Sequence, residues 1–242
     1  MSARRLMVIG AHSADFVWRS GGAIAVTTTN GGTASVVALS YGERGESGEL
    51  WKNQDPAHPQ TIENVKKVRH GEAERAAQAL GATFESLDLG DYPLDIDVDA
   101  LKLISDKIRE FAPEVLITHT DTDPFNPDHP VAYAAVNRAR ALAAGAGVSS
   151  AFKTINPPVF YLFEPHQPEL CNFTPNTFVD ITSVMDAKLK AMEEMKAQKY
   201  LQTYYTQRAD QRGNHARRSS GNQDIRQAEA FQRVTPNVVS AL

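Results

Sequence analysis

Short apolar runs that end in polar turns recur along this chain, and helical patterns separate them. Arg5–Ile9, Ala34–Leu39, Glu114–His119 and Pro158–Phe163 are runs of this kind. Runs this short and apolar are typical of strands that are buried on both faces of a parallel sheet. Because strands and helices alternate, we expect an α/β fold with a mostly parallel sheet and helices on both faces.

The rest of the pattern extends this alternation over the whole chain. A short third strand is predicted at Leu87–Leu89. A late strand at Phe178–Ile181 is followed by a predicted helix from Thr182 or Ser183 to about Tyr205. For 242 residues, a single domain over 1–242 is comfortable. Other helices are predicted near Ser20–Asn30, Ile62–Leu80, Ala100–Phe111 and Val131–Ala144.

Composition excludes several classes of protein. The formal net charge is −4, which gives no support to a nucleic-acid partner. No apolar run approaches the roughly 18 residues that span a bilayer, so we expect no membrane partner. Cys171 is the only cysteine, which excludes internal disulfides and cysteine-rich zinc sites. A chain of this kind, without a signal-peptide pattern, is expected in the cytoplasm.

The turn after the first strand carries two side chains that can bind a metal. In an open parallel sheet, ligands bind outside the carboxyl ends of the strands, where His12 and Asp15 would lie. This turn lacks the glycine-rich fingerprint of nicotinamide and flavin sites, so such a cofactor is not expected. The alternative is that His12 merely ends the strand and Asp15 caps the next helix.

A second polar cluster follows the strand at 114–119. Asp128 suits the N-cap of the next helix, which places His129 at the same sheet edge as His12. Two histidines and one carboxylate leave open positions on a metal, as in catalytic zinc sites. We therefore predict that His12, Asp15 and His129 bind Zn²⁺.

Two other strand ends offer acid–base groups. The loop after the second strand contains Glu46, our favoured base for activating water, and Glu49, our second choice. His166 follows the strand at 158–163, and its ordinary pKa near neutrality suits a general acid or base. The alternatives are a solvated loop for the glutamates, and a fourth metal ligand or a surface role for His166.

Arginines supply the cations that an anionic substrate would need. Arg44 lies in the loop after the second strand, and Arg212 and Arg217 lie in a basic stretch at 207–218 that lacks apolar periodicity. Because arginine binds carboxylates through two parallel hydrogen bonds, we predict that these three bind a small oxo-carboxylate. The stretch is expected to be a loop that closes over the site or reaches a neighbouring subunit of a homo-oligomer; the alternative is a mobile surface loop.

Several motifs together resemble the zinc-dependent PIG-L/LmbE superfamily. The resemblance implies a Rossmann-like sheet and supports His12, Asp15 and His129 as metal ligands. In that superfamily the first motif reads Ala-His-Pro-Asp-Asp-Glu, and its first aspartate is the base for amide hydrolysis; Ala14 holds that position here. The matching segments are Ala-His-x-x-Asp, Ser40–Gly45, Arg69-x-x-Glu72-Ala73, Asn126–His129, Asp180-Ile181 with Lys188, and Ala228–Phe231.

The departures from that motif argue against amide hydrolysis. Alanine at position 14 cannot take a proton, and Phe16 and Asn126 also replace family residues. The pattern, with Glu164-Pro165-His166 downstream, resembles a divergent branch that contains the 4-oxalomesaconate hydratases of bacterial gallate breakdown. This resemblance implies addition of water to the C=C bond of 4-oxalomesaconate to give 4-carboxy-4-hydroxy-2-oxoadipate.

Three other functions remain open at this point. A zinc deacetylase or amidase would recruit another base, such as Asp128 or Glu46. An iron(II) oxygenase can use two histidines and a carboxylate, but its usual His-x-Asp pair lies on an all-β fold. A non-catalytic binding protein would explain the loss of a base at Ala14.

Overall fold

The structure, a computed structural model, describes residues 4–52 and 57–239, and a seven-stranded sheet forms their centre. The strands are β1 (Arg5–Gly10), β2 (Thr33–Ala38), β3 (Thr83–Ser86), β4 (Val115–Thr118), β5 (Val159–Phe163), β6 (Thr177–Asp180) and β7 (Ala228–Arg233). Their order is β3-β2-β1-β4-β5-β7-β6. The first five strands run parallel, and β7 pairs antiparallel with both β5 and β6.

Helices cover both faces of this sheet, as the sequence predicts. In β1, Leu6 and Val8 face one core cluster while Met7 and Ile9 face the other, because successive side chains of a strand point to opposite faces. The helices are α1 (Asp15–Thr29), α2 (Gly48–Lys52), α3 (Ile62–Ala79), α4 (Val98–Phe111), α5 (Asp128–Ala144), α6 (Met185–Glu194) and α7 (Leu201–Ser220). The first cluster packs under α1, α3, α6 and α7, and the second under α4 and α5.

A buried ion pair anchors the middle of α1 to the last strand. Glu229 accepts hydrogen bonds from the backbone N–H groups of Gly22 (2.7 Å) and Ala23 (2.8 Å). Lys188 Nζ lies 2.5 Å from Glu229 Oε1 and donates to the carbonyl of Trp18 at 3.0 Å. A Cβ at Gly22 would lie 2.5 Å from Ile181 Cγ2, so only glycine permits this close packing. Lys188 and Glu229, which both belong to the motifs named above, therefore hold the helix that carries the predicted ligand Asp15.

Three predictions about the elements are wrong. The third strand lies at Thr83–Ser86, before Leu87–Leu89, where backbone contacts to the end of β2 continue without a regular ladder. The single helix expected up to Tyr205 is interrupted, because the chain bends between α6 and α7. The basic stretch at 207–218 is helical and belongs to α7. Its buried face spaces Tyr205, Ala209, Arg212, Gly213 and Ala216 at helical intervals.

Among the described residues, no helix combines the length and apolar character needed to cross a membrane.

Candidate metal centre and pocket

The ends of neighbouring strands bring four metal-binding side chains together. His12 lies in the turn after β1, and Asp15 is the first residue of α1. His129 lies in the first turn of α5, which follows the neighbouring strand β4, and Glu46 lies in the loop after β2. Each residue offers a ligand atom, and these atoms all lie within 4.8 Å of one another. The three residues predicted as ligands therefore meet at one point, together with the favoured base.

Two histidine nitrogens at this point are buried and, although carboxylate oxygens lie nearby, make no hydrogen bond of good geometry among the described residues. They are His12 Nδ1 and His129 Nε2. A buried polar atom without a partner is costly, and buried polar groups are normally satisfied. Here both nitrogens lie close to the carboxylates of Asp15 and Glu46, and the four side chains are a suitable donor set for a divalent cation such as zinc.

Carboxylates behind the two histidines fix the orientation of their rings. Asp123 Oδ2 lies 2.7 Å from His129 Nδ1. On His12, Nε2 lies 3.1 Å from Asp91 Oδ1 and 3.4 Å from Asp128 Oδ2. Such pairs hold the nitrogen on the other side of each ring towards the metal position and raise its basicity. Asp91 and Asp123 are not among the site residues predicted from the sequence, which considers Asp128 only as an N-cap and as the base of a deacetylase.

Asp128 has a different local role from the predicted one. It lies within the first turn of α5 and does not cap that helix, since Pro127 occupies the N-cap position. Its carboxylate accepts hydrogen bonds from the backbone N–H groups of Tyr92 and Leu94, both at 3.0 Å. Asp128 therefore ties the 91–94 loop to the histidine that it orients.

The electrostatics of the cluster keep its carboxylates ionised. Burial lowers the pKa of His12, but Glu46, Asp128 and Asp91 together raise it well above its usual value. Burial opposes ionisation of Glu46, yet His12 and His129 hold its pKa well below the usual range. A cation would replace the proton that His12 carries in this environment.

His119 directly follows β4 and contacts Asp15. It is not among the site residues predicted from the sequence. Its Nε2 lies 3.0 Å from Asp15 Oδ2, and its ring stacks on His129 with centroids 4.0 Å apart. Burial and the neighbouring His129 lower the pKa of His119 to about 3, so this ring is neutral. Its place at a strand end, at the same edge as His12, was the signal in the sequence.

A pocket of about 220 Å³ opens over the cluster. Asp15, Glu46 and His129 line it on one side and His166 on another. The lining residues are Asp15, Trp18, Arg19, Gly45, Glu46, Tyr92, Asp123, Phe125, Asn126, His129, His166, Gln198, Tyr200, Leu201 and Tyr205.

Arg19 is the one arginine or lysine among these lining residues. Its side chain is buried, with Nη1 2.5 Å from Asp15 Oδ1, and its Nε has no hydrogen-bond partner among the described residues. Because it follows Asp15 by four positions on α1, the two side chains meet on one helix face. This spacing is a signal in the sequence for Arg19, which is not among the predicted site residues.

Glu46 and His166, the two favoured acid–base residues, both face this pocket. Glu46 Oε1 lies 3.2 Å from His12 Nδ1 and accepts from Asn126 Nδ2 at 3.2 Å, while Oε2 accepts from Gln198 Nε2 at 3.3 Å. Burial and the charge of Arg19 lower the pKa of His166 to about 4.

A buried network stands behind Glu46. Arg69 donates to Glu72 Oε2 at 2.9 Å and to Gln198 Oε1 at 3.0 Å. Glu72 in turn accepts from the backbone N–H of Ala197 at 3.0 Å. The motif Arg69-x-x-Glu72 thereby fixes the segment between α6 and α7 that presents Gln198 to Glu46.

Four predicted site residues lie outside the pocket lining. Glu49 is exposed and lies 3.7 Å from Lys52 Nζ. Arg44 donates to the carbonyl of Asp91 at 2.8 Å, Arg212 Nε to Glu164 Oε2 at 2.8 Å, and Arg217 to the carbonyl of Ile225 at 2.6 Å. The structure does not bring Glu49, Arg44, Arg212 or Arg217 to the pocket, because the arginines are engaged with other partners and Glu49 points to solvent.

Comparison with known proteins agrees with this geometry. Residues 7–140 match the model of the PIG-L family, described as GlcNAc-PI de-N-acetylase. The chain belongs to the PIG-L family. The N,N′-diacetylchitobiose deacetylase of Pyrococcus horikoshii has the same fold, with a TM-score of 0.77 and 21% identity over 96% of this chain and 84% of the deacetylase.

Two more similar proteins are hydratases. The 4-oxalmesaconate hydratase of Pseudomonas putida is 45% identical over 239 residues, which are 98% of this chain and 91% of that protein. The crystal structure of GalB, the 4-carboxy-2-hydroxymuconate hydratase of Pseudomonas putida, has a TM-score of 0.94 and 44% identity, and the match covers 99% of both chains. This PIG-L protein is accordingly an enzyme of the hydratase type, and the predicted family and fold class are confirmed.

Proposed function

We propose that this hydratase adds water to the C=C bond of 4-oxalomesaconate, forming 4-carboxy-4-hydroxy-2-oxoadipate, with Zn²⁺ bound by His12, Asp15 and His129. The observation that carries the proposal is the donor cluster at the base of the pocket. There Glu46 stands beside the two buried histidine nitrogens, whereas the deacetylase base position is occupied by the buried Ala14.

The metal, when bound, supplies a positive charge that polarises a carbonyl oxygen of the substrate and stabilises negative charge developing there. Since His12, Asp15 and His129 provide two nitrogens and a carboxylate, a position remains for that oxygen. Asp91, Asp123 and Asp128 keep the two histidine rings in the ligating orientation.

Glu46 is the group that takes a proton from water. Its pKa is held well below the usual range by His12 and His129 although burial opposes this, so the carboxylate is ready to accept. Asn126 and Gln198 hold its two oxygens. As the water oxygen bonds to one alkene carbon, the π electrons move towards the conjugated carbonyl oxygen. The carbon next to the carbonyl then gains the proton that Glu46 took from water, so one molecule of water has been added and Glu46 is again ionised.

Arg19 is placed to bind a carboxylate of the substrate. It is the single lysine or arginine that lines the pocket, while Asp15, Glu46 and Asp123 contribute negative charge. Only one of its nitrogens is used by Asp15, and Nε is free of partners among the described residues. A guanidinium binds carboxylates through charge-assisted hydrogen bonds, which favours an acid over a neutral N-acetyl sugar.

The deacetylase alternative has less structural support. Asp128, one recruited base considered from the sequence, is held by two backbone N–H groups and by His12. Ala14 is fully buried and offers no proton acceptor. The cytoplasmic location, the role in gallate breakdown, the homo-oligomeric state and the single domain over residues 1–242 stay predictions.

An absorbance assay with metal-analysed protein tests the proposal. We expect 4-oxalomesaconate to lose its conjugated absorbance, and an N-acetylglucosamine derivative to release no acetate. Protein stripped by a chelator and reloaded in parallel with zinc, iron(II), manganese or cobalt should recover best with zinc. Acetate release without hydration would contradict the proposed reaction, and recovery with another metal alone would contradict zinc.

A further inference from the structure

Tyr205, to which the proposed reaction assigns no role, contacts the ring of His166. Its hydroxyl oxygen is 2.7 Å from His166 Nδ1, and both side chains line the pocket. The side chain of Tyr205 is only 4% exposed, and its ring stacks on Trp18 with centroids 5.6 Å apart. Tyr205 is therefore fixed in place beside the imidazole that faces the pocket.

The direction of the hydrogen bond between Tyr205 and His166 follows from the chemistry of the two side chains. A tyrosine hydroxyl has one hydrogen to donate, and its oxygen can also accept. Burial raises the pKa of Tyr205 above its usual value, and the hydroxyl keeps its hydrogen. The acceptor next to that hydrogen is His166 Nδ1. If His166 donated from Nδ1 instead, the buried hydroxyl hydrogen would be left without an acceptor among its described contacts, which is costly.

A neutral imidazole that accepts at Nδ1 carries its hydrogen at Nε2. His166 is neutral at physiological pH, because burial and the charges of Arg19, His129 and Arg208 lower its pKa to about 4 against the opposing effect of Glu46. Since Tyr205 occupies Nδ1, Nε2–H is the ring group that can serve the pocket.

We propose that Tyr205 is a positioning residue that holds His166 in the neutral Nε2–H form, so that His166 donates a hydrogen bond to the substrate oxygen on which charge develops. This role rests on the proposed hydration. A neutral imidazole can polarise a carbonyl without transferring a proton. The proton that the substrate carbon gains is then the one that Glu46 took from water, so the atoms balance and His166 keeps its charge.

The tautomer can be measured without substrate by two-bond ¹⁵N–¹H NMR of histidine-labelled, zinc-loaded protein, with His166 assigned from a His166→Gln variant. We expect a neutral Nε2–H ring from about pH 6 to 8. In Tyr205→Phe a mixture of both neutral tautomers should appear. Tyr204→Phe is the matched control, because the Tyr204 hydroxyl donates to the backbone carbonyl of His166 and its loss should leave the ring tautomer unchanged.

An Nδ1–H ring or an imidazolium in the wild-type protein at neutral pH would overturn the proposal, even if Tyr205→Phe fails to fold. An unchanged tautomer in a folded Tyr205→Phe variant would also overturn it. Because no turnover is involved, these outcomes are separate from failure of the hydratase assay itself.

Steady-state kinetics supply the second readout. Tyr205→Phe should lower kcat about tenfold with bound zinc and KM nearly unchanged, a smaller loss than the roughly 100-fold or greater effect of deleting a donor to developing charge. His166→Gln, which keeps a neutral N–H group, should retain more kcat than His166→Leu. Equal kcat values for these two variants would contradict a hydrogen-bonding role for His166.

Discussion

Residues 7–140 and the segment that follows them build different sides of one pocket. The first segment, which matches the PIG-L family model, supplies all four side chains of the donor cluster. The second supplies His166, Gln198 and Tyr205 from a strand end, a bend and a helix. Similarity to a hydratase extends over 98% of the chain and so includes both segments. The donor cluster thus lies within the part of the chain that matches the family model, and residues of the second segment complete the pocket above it.

Removing a ligand of the first segment should have the largest effect. In His129→Ala we expect bound zinc to fall to near zero and hydration to become undetectable, because the remaining donors cannot fill a catalytic zinc site. Elemental analysis and the absorbance assay measure both quantities. His215→Ala, on α7 outside the pocket lining, is the matched control. A metal-free His129→Ala protein with full activity would refute the site.

Glu46→Gln should separate the base from the ligands. We expect kcat to fall about 10²- to 10⁴-fold, the usual loss of a general base, while zinc stays bound. Glu49→Gln is the control, since Glu49 lies outside the pocket lining, and its kcat should stay close to wild type. Loss of zinc in Glu46→Gln would show instead that Glu46 is a fourth ligand.

Arg19→Lys should change substrate affinity more than turnover. We expect KM for 4-oxalomesaconate to rise about 10-fold or more, because a charge-assisted hydrogen bond is worth about 1.5–3 kcal/mol and lysine loses the planar fork. Arg217→Lys, whose side chain donates to the carbonyl of Ile225, should leave KM unchanged. An unaltered KM in Arg19→Lys, with zinc content intact, would remove Arg19 from the substrate site.

The smallest expected effect is on stability against pH. The pKa of His166 is lowered to about 4 in the folded protein, below the ordinary 6.5, so the unfolded chain binds more protons between these values. Stability should therefore fall as the pH drops through this window, by at most about 3 kcal/mol from this group.

Glutamine does not titrate, so His166→Gln should lose less stability than the wild type when the pH falls from 7 to 4.5. Urea unfolding of both metal-free proteins at pH 7 and pH 4.5 measures it, as the difference in free energy of unfolding between the variant and the wild type. A difference that stays constant between the two pH values would contradict the lowered pKa of His166.

Much of the first segment could be predicted from the sequence. Strands buried on both faces, such as β1, read as continuous apolar runs, and the rule that ligands bind at carboxyl strand ends places His12, Asp15 and His129 at one edge. The same rule placed Glu46 and His166 at the pocket. Local patterns were sufficient here because each side chain lies in the loop, or in the first helical turn, that follows one strand end.

The second segment was harder because distant contacts decide its structure. Arg212 lies on the buried face of α7, where it forms an ion pair with Glu164, 48 residues away. Because the buried face of a helix is recognised in a sequence by its apolar residues, an arginine at this position hides the helical pattern. The bend between α6 and α7 depends on Glu72, which binds the backbone of Ala197 across 125 residues. Neither contact leaves a local trace in the sequence.

The attachment of α1 to Glu229 has a consequence for biosynthesis. A nascent polypeptide that has left the ribosome as far as residue 220 already contains every donor of the cluster, but lacks the carboxylate that binds the N–H groups of Gly22 and Ala23. Asp15 and Arg19 are carried by that same helix. Until residue 229 has been added, the helix that carries these two pocket residues therefore lacks this anchor.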